Sequence, residues 1–112
     1  MTSVEQIESS VEAQGKRVMI DFWAEWCAQC KELDEYTYTD QEIIDLSKSF
    51  NNIKIDLTQE NESISTKYDI KGLPVVLFMD SNGKELRDLR VTGFLGPEEF
   101  KDKLEAALEN EN

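Results

Sequence analysis

The run Val18-Met19-Ile20-Asp21-Phe22-Trp23 passes through Ala24-Glu25-Trp26 and then meets two cysteines three positions apart, Cys27 and Cys30. The run is too short and too rich in β-branched and aromatic side chains to favour a helix, so it reads as a buried strand. The cysteines begin a helix that runs through Leu33 toward Tyr36 and falters in the polar stretch 37–40. A strand passing directly into a helix starts a crossover connection, and crossovers build sheets that carry helices on their faces.

The remaining pattern extends that frame. Thr2 or Ser3 can cap a first helix, with Glu5 or Gln6 closing a capping box. Val4, Ile7 and Val11 form its apolar stripe, and Gly15 ends it. A capping box at Thr39 and Glu42 predicts a further helical segment with Ile43, Ile44 and Leu46. Residues 53–57 alternate at period two, a strand with one buried face. Residues 61–68 read as a short helix with Ile64 and Tyr68, and 75–79 as a strand. Asp80-Ser81-Asn82-Gly83 then turns into a hairpin partner over about 85–92, whose alternation slips between Leu86 and Leu89 and predicts a bulge. Gly96-Pro97-Glu98-Glu99 starts the last helix, with Phe100, Leu104 and Leu108 as its buried stripe. Crossovers between the early strands and a hairpin between the last two predict an α/β fold with a mixed sheet and helices on both faces.

At 112 residues and 39% apolar composition the chain supports one domain with a single hydrophobic core. No repeat, low-complexity tract or Pro/Gly-rich linker divides it. Twenty-four acidic against 12 basic residues give a net charge of −12. That excludes nucleic acid and anionic membrane as expected partners, since both require clustered Lys and Arg. No apolar run approaches the ~18 residues that span a bilayer. Residues 1–13 carry Glu5, Glu8 and Glu12 and no basic residue, unlike a signal peptide. Two readings follow: a cytoplasmic protein, or one soluble domain of a longer exported or membrane protein. Two cysteines cannot staple a fold, and without histidine they cannot complete a four-ligand zinc site within one chain.

The chemistry expected of such a pair is thiol–disulfide exchange, in which the thiolate attacks. Cys27, at the helix start, should face solvent with the helix dipole lowering its pKa, while Cys30 should be more buried and act as the resolving thiol. Asp21, the one charge in an apolar strand, and Asp34, four residues after Cys30, oppose the dipole. A carboxylate roughly 6 Å away at an effective dielectric of about 20 costs a thiolate about 3 kcal/mol, or about two pKa units. The expectation is a raised Cys27 pKa and a reducing pair. Asp21 could also take the proton from Cys30, or be a structural acid satisfied by the strand or by Lys54. Asp34 reads equally as a solvated helix face, Lys31 as a surface cation and Trp23 as core.

Asp21-Phe22-Trp23-Ala24-Glu25-Trp26-Cys27 followed by Cys30-Lys31 resembles the thioredoxin family. So do Lys67-Tyr68-Asp69-Ile70-Lys71-Gly72-Leu73-Pro74 before the third strand and Gly93 after the last. The resemblance covers residues 17–108 with every element in order. Between the cysteines stands Ala28-Gln29, not the Gly-Pro of thioredoxin. Tyr36-Thr37-Tyr38-Thr39-Asp40 and Arg90-Val91-Thr92-Gly93-Phe94 resemble the C-terminal, periplasmic thioredoxin-like domain of the DsbD family of thiol:disulfide interchange proteins.

The resemblance implies a thioredoxin fold over residues 1–112, with 1–15 as a helical extension and a central sheet of four to five strands. It implies a protein-disulfide reductant working through Cys27 and Cys30, without cofactor or metal. Asp21 would be the buried acid behind the site, and Asp34 stands where the DsbD domain also carries an acid. Pro74 would be cis, lie against the cysteines and leave the Leu73 backbone free for an extended substrate, with Trp26, Gly93 and Phe94 on the same surface. The DsbD likeness implies a monomeric domain in the periplasm between a transmembrane electron donor and a periplasmic acceptor domain. Thioredoxin-like use would imply the cytoplasm and a flavoprotein reductase, and a binding module without turnover is a further alternative.

Overall fold

Helix α1 (Val4–Ala13) is capped by Ser3, whose hydroxyl oxygen accepts a hydrogen bond from the Gln6 backbone N–H. Thr2, the alternative cap, lies outside the residues 3–110 that this computed structural model describes. Gly15 follows the helix at φ 59°, in the left-handed region that glycine enters without a steric penalty. The chain then enters β1 (Val18–Trp23), which lies at the centre of the sheet. It pairs in parallel with β2 (Asn51–Asp56) and antiparallel with β3 (Val75–Met79), in the order β2-β1-β3.

Alternation along the strands divides the core into two layers. Val18, Ile20 and Phe22 of β1 pack with Ile53, Ile55 and Leu77, beneath Ile7 of α1 and Ile64 of α4 (Glu62–Tyr68). Met19 points the other way, with its cross-strand neighbour Phe78. Ile43 of α3 (Gln41–Ser47) and Phe100 and Leu104 of α5 (Pro97–Glu109) cover that second face. Every β1 residue from Val18 to Phe22 is buried, as a central strand with helices on both faces requires. In α5 the fully buried partner of Leu104 is Ala107, and Leu108 sits half-buried at the edge.

Several sequence expectations need correction. Four to five strands were expected, and three form among the described residues. The segment 85–92 meets β3 only through the bridges Met79–Glu85 and Val76–Val91. Its middle winds into a 3-10 turn over Arg87–Leu89. The slip between Leu86 and Leu89 is therefore a turn, not a bulge: a three-residue period brings both leucines against the second core layer.

The cap of α3 also differs. Asp40, not Thr39, accepts hydrogen bonds from the Glu42 and Ile43 N–H groups. Helix α2 (Ala28–Glu32) runs on to Thr37, where its sequence turns polar, by widening into a π turn over Leu33–Thr37, closed by Tyr38 N–H to the Leu33 carbonyl at 2.8 Å. Thr39 still lies in the trailing turn, where its hydroxyl donates to the Glu35 carbonyl. A further correction concerns the exposure of Cys27 and belongs with the site. Among the described residues no helix is long and apolar enough to cross a membrane.

Candidate active site at the end of strand β1

Strand β1 delivers the chain to a turn, Ala24-Glu25-Trp26, that Thr58 holds from the neighbouring β2 side. The Thr58 hydroxyl oxygen accepts from Glu25 N–H at 2.9 Å, and its carbonyl accepts from Trp26 Nε1 at 3.1 Å. Cys27 follows as the N-cap of α2, and its Sγ accepts from the Cys30 N–H at 3.1 Å. The two cysteines are joined in a disulfide, their Cα atoms 5.3 Å apart. The expected contrast between an open Cys27 and a closed Cys30 is absent: they are 5% and 3% exposed. Ala24, Trp23 and Leu73 pack with the cysteine pair. Trp26 is the open group here, 67% exposed.

Two loops flank the disulfide. On one side the Leu73–Pro74 peptide bond is cis, and Leu73 packs on the cysteines. Among the described residues nothing hydrogen-bonds the Leu73 backbone. A groove of about 390 Å³ lies between Trp26 and Leu73, with Thr58, Glu60, Asn61 and Gly72 in its walls. On the other side the segment 93–95 is tied to the helix that carries the cysteines. Gln29 Oε1 accepts from the Phe94 N–H at 2.8 Å, and a Cβ on Gly93 would stand 3.2 Å from that oxygen. The Phe94 ring meets Tyr36 edge-on at 6.5 Å, and the Thr37 hydroxyl donates to the Leu95 carbonyl at 2.6 Å. Sequence reasoning put Gly93 and Phe94 at this rim but gave Gln29 no contact. A hydrogen bond across 65 positions leaves no local signal.

Six residues before Cys27 on β1, Asp21 is buried on the second face, level with Lys54 of β2 and Val76 of β3. Burial pushes its carboxyl pKa from 3.8 up to about 6, against the opposing pull of the Lys54 cation. Asp21 Oδ1 and the Tyr38 hydroxyl are both buried without a hydrogen-bond partner among the described residues. The phenol nonetheless lies near enough to favour the ionised carboxylate, and burial together with the Asp21 charge raises the pKa of Tyr38 itself. Lys54 does not close an ion pair with Asp21. Its Nζ binds Asp34 at 3.1 Å and stands 5.2 Å from the centre of the Trp23 ring. Asp34 is thus a half-exposed acid of the π turn, held toward β2 by that pair. A cleft of about 220 Å³, with Ile43, Ser47 and Asn52 in its walls, reaches Asp21, Tyr38 and Lys54 from the α3 side.

Lys31 is exposed in the last turn of α2, and Trp23 is only partly buried, its ring shared between the cysteines and Lys54. Among the described residues no three His, Cys, Asp or Glu side chains gather as metal ligands do. What the arrangement offers is a two-electron couple: one disulfide, a backbone N–H aimed at the Cys27 sulfur, and a buried carboxyl whose pKa is pushed up to about 6.

A strand-end cysteine pair between a proline loop and a glycine loop defines a class, and comparison with known proteins agrees. The thioredoxin-like domain family matches residues 4–108, and the chain belongs to that family. The chain is 38% identical over 104 residues to the thiol:disulfide interchange protein DsbD of Haemophilus ducreyi, a match covering 89% of this chain and 18% of that protein. The chain therefore spans about a fifth of the length of such curated relatives. The oxidised C-terminal domain of DsbD from Neisseria meningitidis superposes with a TM-score of 0.82 at 23% identity, over 96% of this chain and 97% of that one. The thioredoxin of Malassezia sympodialis gives 0.72 at 26% identity, over 96% and 87%.

Proposed function

We propose that this domain is a thiol–disulfide oxidoreductase that reduces protein disulfides and relays electrons through Cys27 and Cys30. The observation that carries this reading is the disulfide itself. It joins a helix N-cap to a cysteine one turn on, and Leu73, which packs on the cysteines, lines the neighbouring groove. In the dithiol form the Cys27 thiolate attacks one sulfur of a partner disulfide, whose S–S bond breaks as the mixed disulfide forms. Cys30 gives its proton to Asp21 and attacks the Cys27 sulfur, and the partner leaves as a dithiol after taking up two protons. Two electrons pass to the partner, and the Cys27–Cys30 disulfide is restored.

Asp21 and Asp34 tune the couple toward reduction. Negative charge near a thiolate raises its pKa, and a less stable thiolate favours the disulfide form. The partner segment lies across Trp26, Leu73, Pro74, Gly93 and Phe94, where the Leu73 backbone, unpaired among the described residues, suits an added strand. On the likeness to DsbD, the domain works in the periplasm as a monomer, taking electrons from a transmembrane donor and passing them to a periplasmic acceptor domain.

The test is Cys30→Ser. Without the resolving thiol, the Cys27 thiol should trap a protein-disulfide substrate as a covalent adduct that dithiothreitol releases. Association that is equally strong in a variant lacking both sulfurs would instead identify a binding module.

A further inference from the structure

We propose that Gln29 is a positioning residue that fixes the partner-binding rim to the redox helix by occupying the Phe94 backbone N–H. The inference rests on the thiol–disulfide reading above and deepens it. Three ties run from the cysteine-bearing helix to the segment 93–95: Gln29 to Phe94 N–H, the Tyr36 ring to the Phe94 ring, and Thr37 to the Leu95 carbonyl. Only the first comes from between the two cysteines. Gln29 is exposed, so neither core packing nor a buried charge accounts for its orientation. Gly93 complements it, since a side chain there would press on Oε1 at 3.2 Å.

The contact has a consequence for recognition. An extended partner segment laid beside the disulfide can use backbone groups on either flanking loop. Among the described residues the Leu73 backbone is unpaired, whereas the Phe94 N–H is already bound by Gln29. The partner backbone is therefore read on the Leu73 side, and the opposite rim offers the Phe94 side chain at a position set by Gln29. Any change that moves the first turn of α2 is transmitted to that rim through one hydrogen bond.

Gln29→Met keeps length and removes the acceptor, while Gln29→Glu keeps an acceptor. Amide exchange at Phe94 in the oxidised protein reads the bond directly. Two single-turnover oxidations of the reduced protein read its consequence: one by insulin, a protein disulfide, and one by 2-hydroxyethyl disulfide, neutral and too small to span the site. Gln29→Met should speed Phe94 exchange about fivefold, the loss expected for one exposed hydrogen bond. It should also change the insulin rate severalfold, with the small disulfide within about twofold, and Gln29→Glu should restore Phe94 protection. Unchanged Phe94 exchange in Gln29→Met, or equal changes with both disulfides, would overturn the proposal. Wild-type protein oxidised by neither disulfide would instead refute the thiol–disulfide reading, while the exchange measurement still decides whether the bond exists.

Discussion

Asp21 is held in a place that works against its charge. It stands in a central strand on the apolar α3–α5 face, and Lys54, its register neighbour on β2, is committed to Asp34. Because its pKa is raised on folding, the native state holds the proton more tightly than the unfolded chain between pH 3.8 and about 6. Stability from this group therefore falls as pH rises through that window and stays low above it. A gap of this size is worth up to about 3 kcal/mol. Asp21→Asn should be the more stable protein at pH 7.5, by up to that amount less the cost of burying an amide, and the difference should vanish near pH 3.5. Urea unfolding of the oxidised forms at the two pH values checks this, and a pH-independent difference would contradict it. Tyr38→Phe bears on the same carboxyl. The phenol favours the ionised form, so its loss should lift the Asp21 pKa above about 6, measured by carbon NMR titration of the carboxyl.

At the level of elements, the π turn and the 3-10 strap do what a regular helix and a regular strand would not. The π turn Leu33–Thr37 buries Thr37, which binds the 95 carbonyl, and carries Tyr38 in toward Asp21 and the Phe100 ring. The strap 85–91 is clamped to the end of α4 by Arg90, whose guanidinium pairs with Glu85 and donates to the Tyr68 and Asp69 carbonyls. Those carbonyls belong to the unsatisfied C-terminal turn of α4, where cationic donors are stabilising. Arg90→Lys keeps the charge but loses the planar fork and should cost about 1–2 kcal/mol by urea unfolding. A change within 0.3 kcal/mol, roughly the noise of additivity, would mean the clamp carries no weight. Since the strap leads straight into Gly93 and Phe94, loosening it should also raise amide exchange along 91–94.

Across the whole molecule, the sheet places the cysteines at the carboxyl end of its central strand, flanked by loops from distant parts of the chain. The corner from β1 through the cysteines into α2 was legible because its signals are local: an apolar run, a C-x-x-C spacing and a helical stripe. The Asp80-to-Gly83 turn was legible for the same reason, with Asp80 accepting from the Asn82 and Lys84 N–H groups. What followed it was not, because Leu86 and Leu89 suit a slipped strand and a single turn of 3-10 helix equally until α5 is in place. The Lys54–Asp34 pair, the burial of Cys27 and the Gln29–Phe94 bond were beyond reach for one cause. Each joins residues 20 to 65 positions apart or depends on a loop packing over the site.

One measurement bears on all of this, the equilibrium of Cys27 and Cys30 with defined ratios of reduced and oxidised glutathione. The predicted result is full two-electron interconversion at a potential more negative than about −200 mV, in the range of thioredoxins and glutaredoxins. A pair that never exchanges with glutathione, or one poised near the −120 mV or so of a strong dithiol oxidant, would contradict it.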